Sequence, residues 1–167
     1  MLTEEYKWVA VMTHANAEQL AADTIAQFAD EVYLPMMHVR DKRRRNMMPE
    51  KPMFPSYLFA HINKYQIFDT RTARGVIGIV SANHSAIVVP QRDIDMVRAF
   101  EATERKVFIH DTAKLVKGNE ATITDGEFAG MHGRVVRGCK DGNFAVNIEV
   151  MNVSFVVHVR RDELRPA

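Results

Sequence analysis

Residues able to do covalent or metal chemistry are few in this chain and widely spread. The seven histidines, His14, His38, His61, His84, His110, His132 and His158, show no metal-ligand spacing. The single cysteine, Cys139, has no helper beside it in sequence to activate a thiolate. Gly75-Val76-Ile77-Gly78 lacks both the spacing and the lysine of a phosphate-binding loop. Ordinary surface and strand positions account for the histidines. No catalytic residue, metal or cofactor is expected, and the chain reads as a binding protein rather than an enzyme.

Two stretches carry the chemistry of contact instead. Lys51-Pro52-Met53-Phe54-Pro55-Ser56-Tyr57-Leu58-Phe59-Ala60-His61-Ile62 is a strand-like segment approached through two prolines. Proline fixes φ and has no N–H, so Pro52 and Pro55 belong at a strand entrance or an edge. One reading buries all of the aromatics in a core strand; the other leaves Phe54 and Tyr57 partly at the surface as a docking patch. Just before it, Arg40-Asp41-Lys42-Arg43-Arg44-Arg45 is too polar for a core. Such a run is either a solvated loop or a basic hairpin tip that touches a nucleic-acid backbone without reading bases. Met36, Met37, Met47, Met48 and Met53 flank it, suited to gap-filling or to an adaptable surface.

The elements that position these stretches follow from periodicity. Lys7–Met12 reads as a buried first strand. A helix follows, N-capped by Asn16, with Leu20, Ala21, Thr24, Ile25 and Phe28 as its apolar stripe. Glu31–Val39 is a second strand, with Pro35 suggesting an edge or bulge, and Phe54–Ile62 a third. Lys64–Arg74 is a short helix with Ile67 and Phe68 facing in and Gly75 ending it. Strands at Gly75–Val80 and Ala86–Val89 lead to a last helix marked by Ile94, Val97 and Phe100. This order predicts an α+β, ferredoxin-like (split βαβ) domain, with an antiparallel sheet and helices on one face.

After residue 102 the pattern changes. Of eight glycines, six lie from Gly118 onward, which marks tight turns between short strands. Asn143–Val150 and Val153–Val159 alternate as a hairpin with one apolar face, and Asp125-Gly126 and Asp141-Gly142 are turn dipeptides. Such a unit best closes its edges as a small β-barrel. The expected boundaries are 1–102 for the first domain, 103–114 for a charged linker and 115–167 for the second domain.

Composition narrows the setting. Lys+Arg number 22 against 21 Asp+Glu, so net charge makes no case for nucleic acid and any such case rests on where the charges sit. A lone cysteine fits a reducing compartment. No signal peptide or bilayer-spanning run is read, so a cytoplasmic location is expected. Nothing requires more than a monomer.

With both halves in place, the chain resembles the NusG family of transcription elongation factors. The first half matches through Trp8 in an early strand, Glu18 opening the first helix, Tyr33-Leu34-Pro35 and Phe54-Pro55-Ser56-Tyr57. The second resembles a KOW module through Lys117-Gly118 and Thr124-Asp125-Gly126-Glu127-Phe128-Ala129-Gly130-Met131-His132-Gly133-Arg134-Val135. The resemblance implies that Trp8, Phe54 and Tyr57 lie at or beside a surface that binds the clamp helices of the largest subunit of bacterial RNA polymerase. For Trp8, the other reading is core. Serine at position 56, where glycine is usual, and Thr70-Arg71-Thr72-Ala73-Arg74-Gly75-Val76 resemble the specialised RfaH-like branch, which implies antitermination and a second polymerase contact through Thr70, Arg71 and Thr72. It also places Lys42, Arg43, Arg44 and Arg45 near non-template DNA. Around Phe128, Met131 and His132 it implies a second partner, a ribosomal protein or Rho; the other reading makes Phe128 a barrel plug. The alternative function is an RNA-binding or ribosome-associated KOW protein that does not bind polymerase.

Overall fold

A computed structural model describes residues 2–38, 50–103, 107–111, 118–138, 143–150 and 153–166. Two compact units divide the chain, Met1–Gln91 and Arg92–Ala167.

In the first unit, β1 (Lys7–Thr13), α1 (Glu18–Ile25), β2 (Glu31–Tyr33), β3 (Met36–His38), β4 (Glu50–Pro52) and β5 (Tyr57–Ile62) are followed by a 3₁₀ turn, α2 (Ile67–Thr72), β6 (Val76–Ile79), β7 (Ser81–Ala82), β8 (Ser85–Ala86) and β9 (Val88–Val89). The main sheet runs β2-β5-β1-β6, with β9 also on β1, and every pairing is antiparallel. Alternation decides its faces. Val9 and Val11 of β1 and Leu58, Ala60 and Ile62 of β5 form one core with Ala21, Ala22 and Ile25 of α1, and Ile67 of α2 packs against it. Full burial of Leu58 or Ile62 contributes roughly 1.5–3 kcal/mol each. The intervening positions give a second, aromatic face: Trp8 pairs in register with His61, and Phe59 with Tyr33.

Several expectations are corrected here. The first helix is capped at Ala17 without a side-chain bond, and Asn16 sits at φ 60° instead of capping it. The buried stripe is Glu18, Ala21, Ala22 and Ile25, while Leu20 is exposed. Phe68, expected to face in, is 73% exposed. The second strand breaks into β2 and β3 at Leu34-Pro35 because proline cannot donate to a ladder. Asn83 and His84 both have positive φ in the turn of the β7–β8 hairpin, the conformation that a two-residue primed turn requires.

The second unit holds α3 (Gln91–Ala102) from Arg92 onward. It continues with β10 (Val107–Asp111), β11 (Glu120–Ile123), β12 (His132–Gly138), β13 (Asn143–Val150), β14 (Val153–Arg160) and β15 (Leu164–Pro166). These strands form an antiparallel sheet in the order β10-β14-β13-β12-β11-β15. The β13–β14 hairpin is paired from Asn143↔Arg160 to Val150↔Val153, as the alternation predicts. Strand β10 falls inside the stretch read as linker. No pairing joins β10 to β15 among the described residues, so the sheet is not seen to close into the expected barrel.

Candidate functional site

The candidate site lies where the approach to β5 meets the aromatic face of the first sheet. Phe54 and Tyr57 are separated by a tight turn, closed by the Tyr57 N–H donating to the Phe54 carbonyl at 3.0 Å. Met53 N–H donates to Pro35 O at 2.8 Å and Thr13 N–H to Ser56 O at 2.9 Å, so the turn is tied to both neighbouring segments. Ser56 has φ 65°, a left-handed conformation that costs an L-residue roughly 1–2 kcal/mol. Its N–H is held by the Glu18 carboxylate, with Oε1 accepting at 2.8 Å.

This turn sends its two aromatic rings in different directions. Phe54 is 7% exposed and meets Phe59 edge to face, ring centroids 5.4 Å apart. Tyr57 is 36% exposed, with its hydroxyl 3.9 Å from the Met12 sulfur. The expectation that both rings reach the surface therefore holds for Tyr57 and not for Phe54, whose hydrophobic surface is better satisfied by Phe59 than by water. Trp8 is 3% exposed; its indole N–H donates to Gln91 Oε1 at 2.8 Å and its ring stacks on His61. It lies in the packed face.

The second expected contact segment is α2. Thr70 is fully buried, its hydroxyl donating to Gln66 O at 2.7 Å, whereas Arg71 and Thr72 are exposed. The Thr72 hydroxyl donates to Phe68 O at 3.0 Å, within the helix. Sequence reasoning missed Tyr65 and Phe68, the most exposed of the large apolar side chains among the described residues. Lys42, Arg43, Arg44 and Arg45 lie outside the described residues.

In the second unit Phe128 is 1% exposed, with its ring centroid 5.3 Å from that of Phe100. Met131 is buried too, while His132 is exposed and shares a 2.8 Å hydrogen bond with Thr122 through Nδ1. A groove of about 640 Å³ lies between β11, β12 and residues 161–166, with Arg161, Arg165 and Glu120 among its lining side chains. Glu120 is engaged by Arg134 at 3.2 Å.

Among the described residues, no group of three or more His, Cys, Asp and Glu is placed to hold a metal, and no helix is long and apolar enough to cross a membrane. The resolved shifts in ionisation lie away from the turn: Lys64, then Tyr65, holds the Glu4 carboxyl below its ordinary range, and Lys7 does the same for Glu5.

Comparison with known proteins bears on the fold and the family. A family model described as NusG, transcription termination factor, matches residues 6–98. No curated protein matches. Among solved structures, one described as "Domain interaction in Thermotoga maritima NusG" has 19% identity and a TM-score of 0.63, covering 97% of each chain. Two conformations of the MjSpt4:Spt5 complex, at 17% identity, give TM-scores of 0.33 and 0.34; conformation A covers 96% of this chain and 97% of that one, conformation B 96% of each.

Proposed function

From the premise that this chain belongs to the NusG family of transcription factors, shown by the match over residues 6–98, we propose that it is a transcription elongation and antitermination factor. It binds RNA polymerase through its first unit and suppresses pausing or termination. The observation that carries this reading is Tyr57, an aromatic side chain held at the surface by a turn with three backbone–backbone hydrogen bonds and one to the Glu18 carboxylate. Phe54 and Trp8 lie packed within the same unit, Phe54 against Phe59 and Trp8 against His61. Exposed aromatics on a rigid turn are the kind of residue that dominates interface energy. Arg71 and Thr72 are accessible for a second polymerase contact, and Thr70 positions them from inside α2.

The specialised, RfaH-like assignment is part of the same proposal. Its support is Ser56 together with the Thr70–Val76 stretch, and it assigns Lys42, Arg43, Arg44 and Arg45 to non-template DNA. The second unit acts as a KOW module that recruits a ribosomal protein or Rho. There His132 is the accessible member of its expected set, with Phe128 and Met131 shaping the surface from inside. The protein acts in the cytoplasm.

A second reading, in which the KOW unit binds RNA or the ribosome without polymerase, is favoured by one observation: Arg161 and Arg165 both line the same groove. Guanidinium groups so placed suit phosphates.

Purified bacterial RNA polymerase in an elongation complex is the test, offered to the wild-type protein and to Tyr57→Ala, with circular dichroism as the check on folding. Binding by wild type that is lost in a folded Tyr57→Ala supports polymerase docking. Equal binding by both rejects Tyr57 as the contact. Absence of binding by wild type, with salt-sensitive binding to RNA that Arg161→Ala/Arg165→Ala abolishes, establishes the second reading.

A further inference from the structure

We propose that Glu18 is a positioning residue for the docking turn: its buried carboxylate latches the Ser56 amide and thereby sets Tyr57 at the surface while Phe54 stays packed on Phe59. This rests on the polymerase-docking reading above and deepens it.

Three observations converge. The first is burial. Glu18 is 7% exposed, and a carboxylate taken out of water is costly unless its oxygens are satisfied. It opens α1, where the free N–H groups and the dipole favour a negative charge, and its Oε1 accepts the Ser56 N–H at 2.8 Å. A residue whose position in a helical stripe suits an apolar side chain instead spends its charge on an amide 38 residues away.

The second is strain. Ser56 at φ 65° does not hold this conformation by its own preference. A left-handed non-glycine residue persists where its surroundings over-determine it. Here the surroundings are the Glu18 bond on its N–H, the Thr13 N–H on its carbonyl, and the Tyr57–Phe54 turn bond across it. Of these three, only the Glu18 bond comes from a side chain, so it is the one that sequence can remove without rebuilding the backbone.

The third is the stiffness of the anchor. The Ala17 N–H donates to His14 O at 3.0 Å, and the His14 N–H donates to Gly75 O at 2.9 Å. Gly75, at φ 84°, lies so close that a Cβ there would stand 3.1 Å from Ala17 O and 3.4 Å from the Ala21 nitrogen. The start of α1 is thus wedged between the end of β1 and the segment that follows Arg71 and Thr72. Glu18 reaches the turn from a fixed point, and the turn inherits that fixity.

The consequence is a division of labour between neighbours. Tyr57 opens β5 in register with Met12, so a turn that relaxes at Ser56 changes how the tyrosine leaves the sheet. The latch acts through Tyr57 without touching the partner.

The experiment compares the full-length wild type, Glu18→Ala, Glu18→Gln and Tyr57→Ala for affinity to RNA polymerase, with NMR amide exchange at Ser56 as an independent readout. Glutamine keeps an acceptor oxygen at the same reach. The expected result is that Glu18→Ala weakens binding about tenfold and speeds Ser56 exchange by a similar factor, while Glu18→Gln stays within about threefold of wild type in both. In a Ser56→Gly background, where the turn is unstrained, Glu18→Ala has a smaller effect on affinity. Wild-type affinity in folded Glu18→Ala overturns the proposal, as does loss of affinity with unchanged Ser56 exchange. If Tyr57→Ala binds like wild type, the docking reading fails by itself. Ser56 exchange then still decides the latch: faster in Glu18→Ala alone supports it, and equal rates in all variants overturn it.

Discussion

The indole of Trp8 stacks on the imidazole of His61, their ring centroids 5.0 Å apart and their planes 27° from parallel. The two residues face each other across the β1–β5 pairing, and Asp30 Oδ2 holds His61 Nδ1 at 2.7 Å. Replacing His61 by Ala removes the stack and uncovers one face of the indole. The expected loss is about 1 kcal/mol of unfolding free energy, with Trp8 emission moving to longer wavelength. Because Trp8 is the only tryptophan, the fluorescence is unambiguous. Unchanged emission and stability in His61→Ala reject the stack as a structural contact.

Ser56 and Gly75 offer opposite tests of the same backbone rule. Both have positive φ, at 65° and 84°, but only position 56 carries a side chain. Ser56→Gly relieves left-handed strain and adds unfolded-state freedom, for a net gain of roughly 0.5 kcal/mol. Gly75→Ala adds strain and pushes a methyl to 3.1 Å from the Ala17 carbonyl oxygen, so a loss of at least about 1–2 kcal/mol is expected. Urea denaturation of the two variants checks both signs.

These positions show where the sequence is readable and where it is not. The alternation over 143–150 and 153–159 is enough to place a hairpin, because period two in a half-buried strand has one solution. The apolar stripe of α1 is readable only in part: Ala21 and Ile25 are buried and Phe28 packs against the core as its periodicity predicts. Glu18 turns inward to satisfy a backbone amide and Leu20 turns outward, which hydrophobicity does not foretell. Phe54 and Tyr57 read alike as aromatics near a strand entrance; only the strained turn between them sends one in and the other out. Barrel closure depends on pairings between strands far apart in the chain, which no local pattern specifies.

Thr13 presents a buried hydroxyl with no hydrogen-bond partner among the described residues. It is 1% exposed and lies where the β1–β6 register shifts between Met12 and Thr13. Thr13→Val has nearly the same shape without the polar atom, and its backbone N–H still donates to Ser56 O. A gain of about 1 kcal/mol is expected, read from the midpoint of thermal or urea unfolding. A destabilised Thr13→Val would show that the hydroxyl is engaged.

The Glu4 carboxylate gathers Lys64 Nζ at 3.0 Å and the Tyr65 hydroxyl at 2.9 Å on the same oxygen. Lys64, and then Tyr65, keeps the carboxyl ionised below its ordinary range. A depressed folded value means that the contact stabilises fully above the unfolded glutamate's titration and is lost as pH falls through the folded one. The contact is solvent-exposed, so its effect is local to the Tyr65 face. In an NMR titration, the Glu4 side-chain carboxyl carbon is expected to have a lower midpoint in the folded chain than in the urea-unfolded chain. Lys64→Ala moves that midpoint upward, and no movement rejects Lys64 as its main cause.

Phe54 and Tyr57 differ in what an alanine substitution measures. Phe54 is buried on Phe59, so Phe54→Ala opens a cavity and costs about 3–5 kcal/mol, a large share of a domain's total stability. Tyr57, more than a third exposed, loses far less packing. Binding lost by Phe54→Ala therefore reports unfolding as readily as a missing contact, whereas binding lost by Tyr57→Ala reports the contact. Phe54→Leu separates the two, because it keeps most of the volume while removing the edge-to-face ring pair. Urea melts are expected to rank stability as wild type, then Tyr57→Ala, then Phe54→Leu, then Phe54→Ala. Polymerase affinity should fall furthest for Tyr57→Ala among the variants that remain folded. An affinity order that simply follows stability would make the turn a structural element and shift the docking role to the exposed side chains of Tyr65 and Phe68.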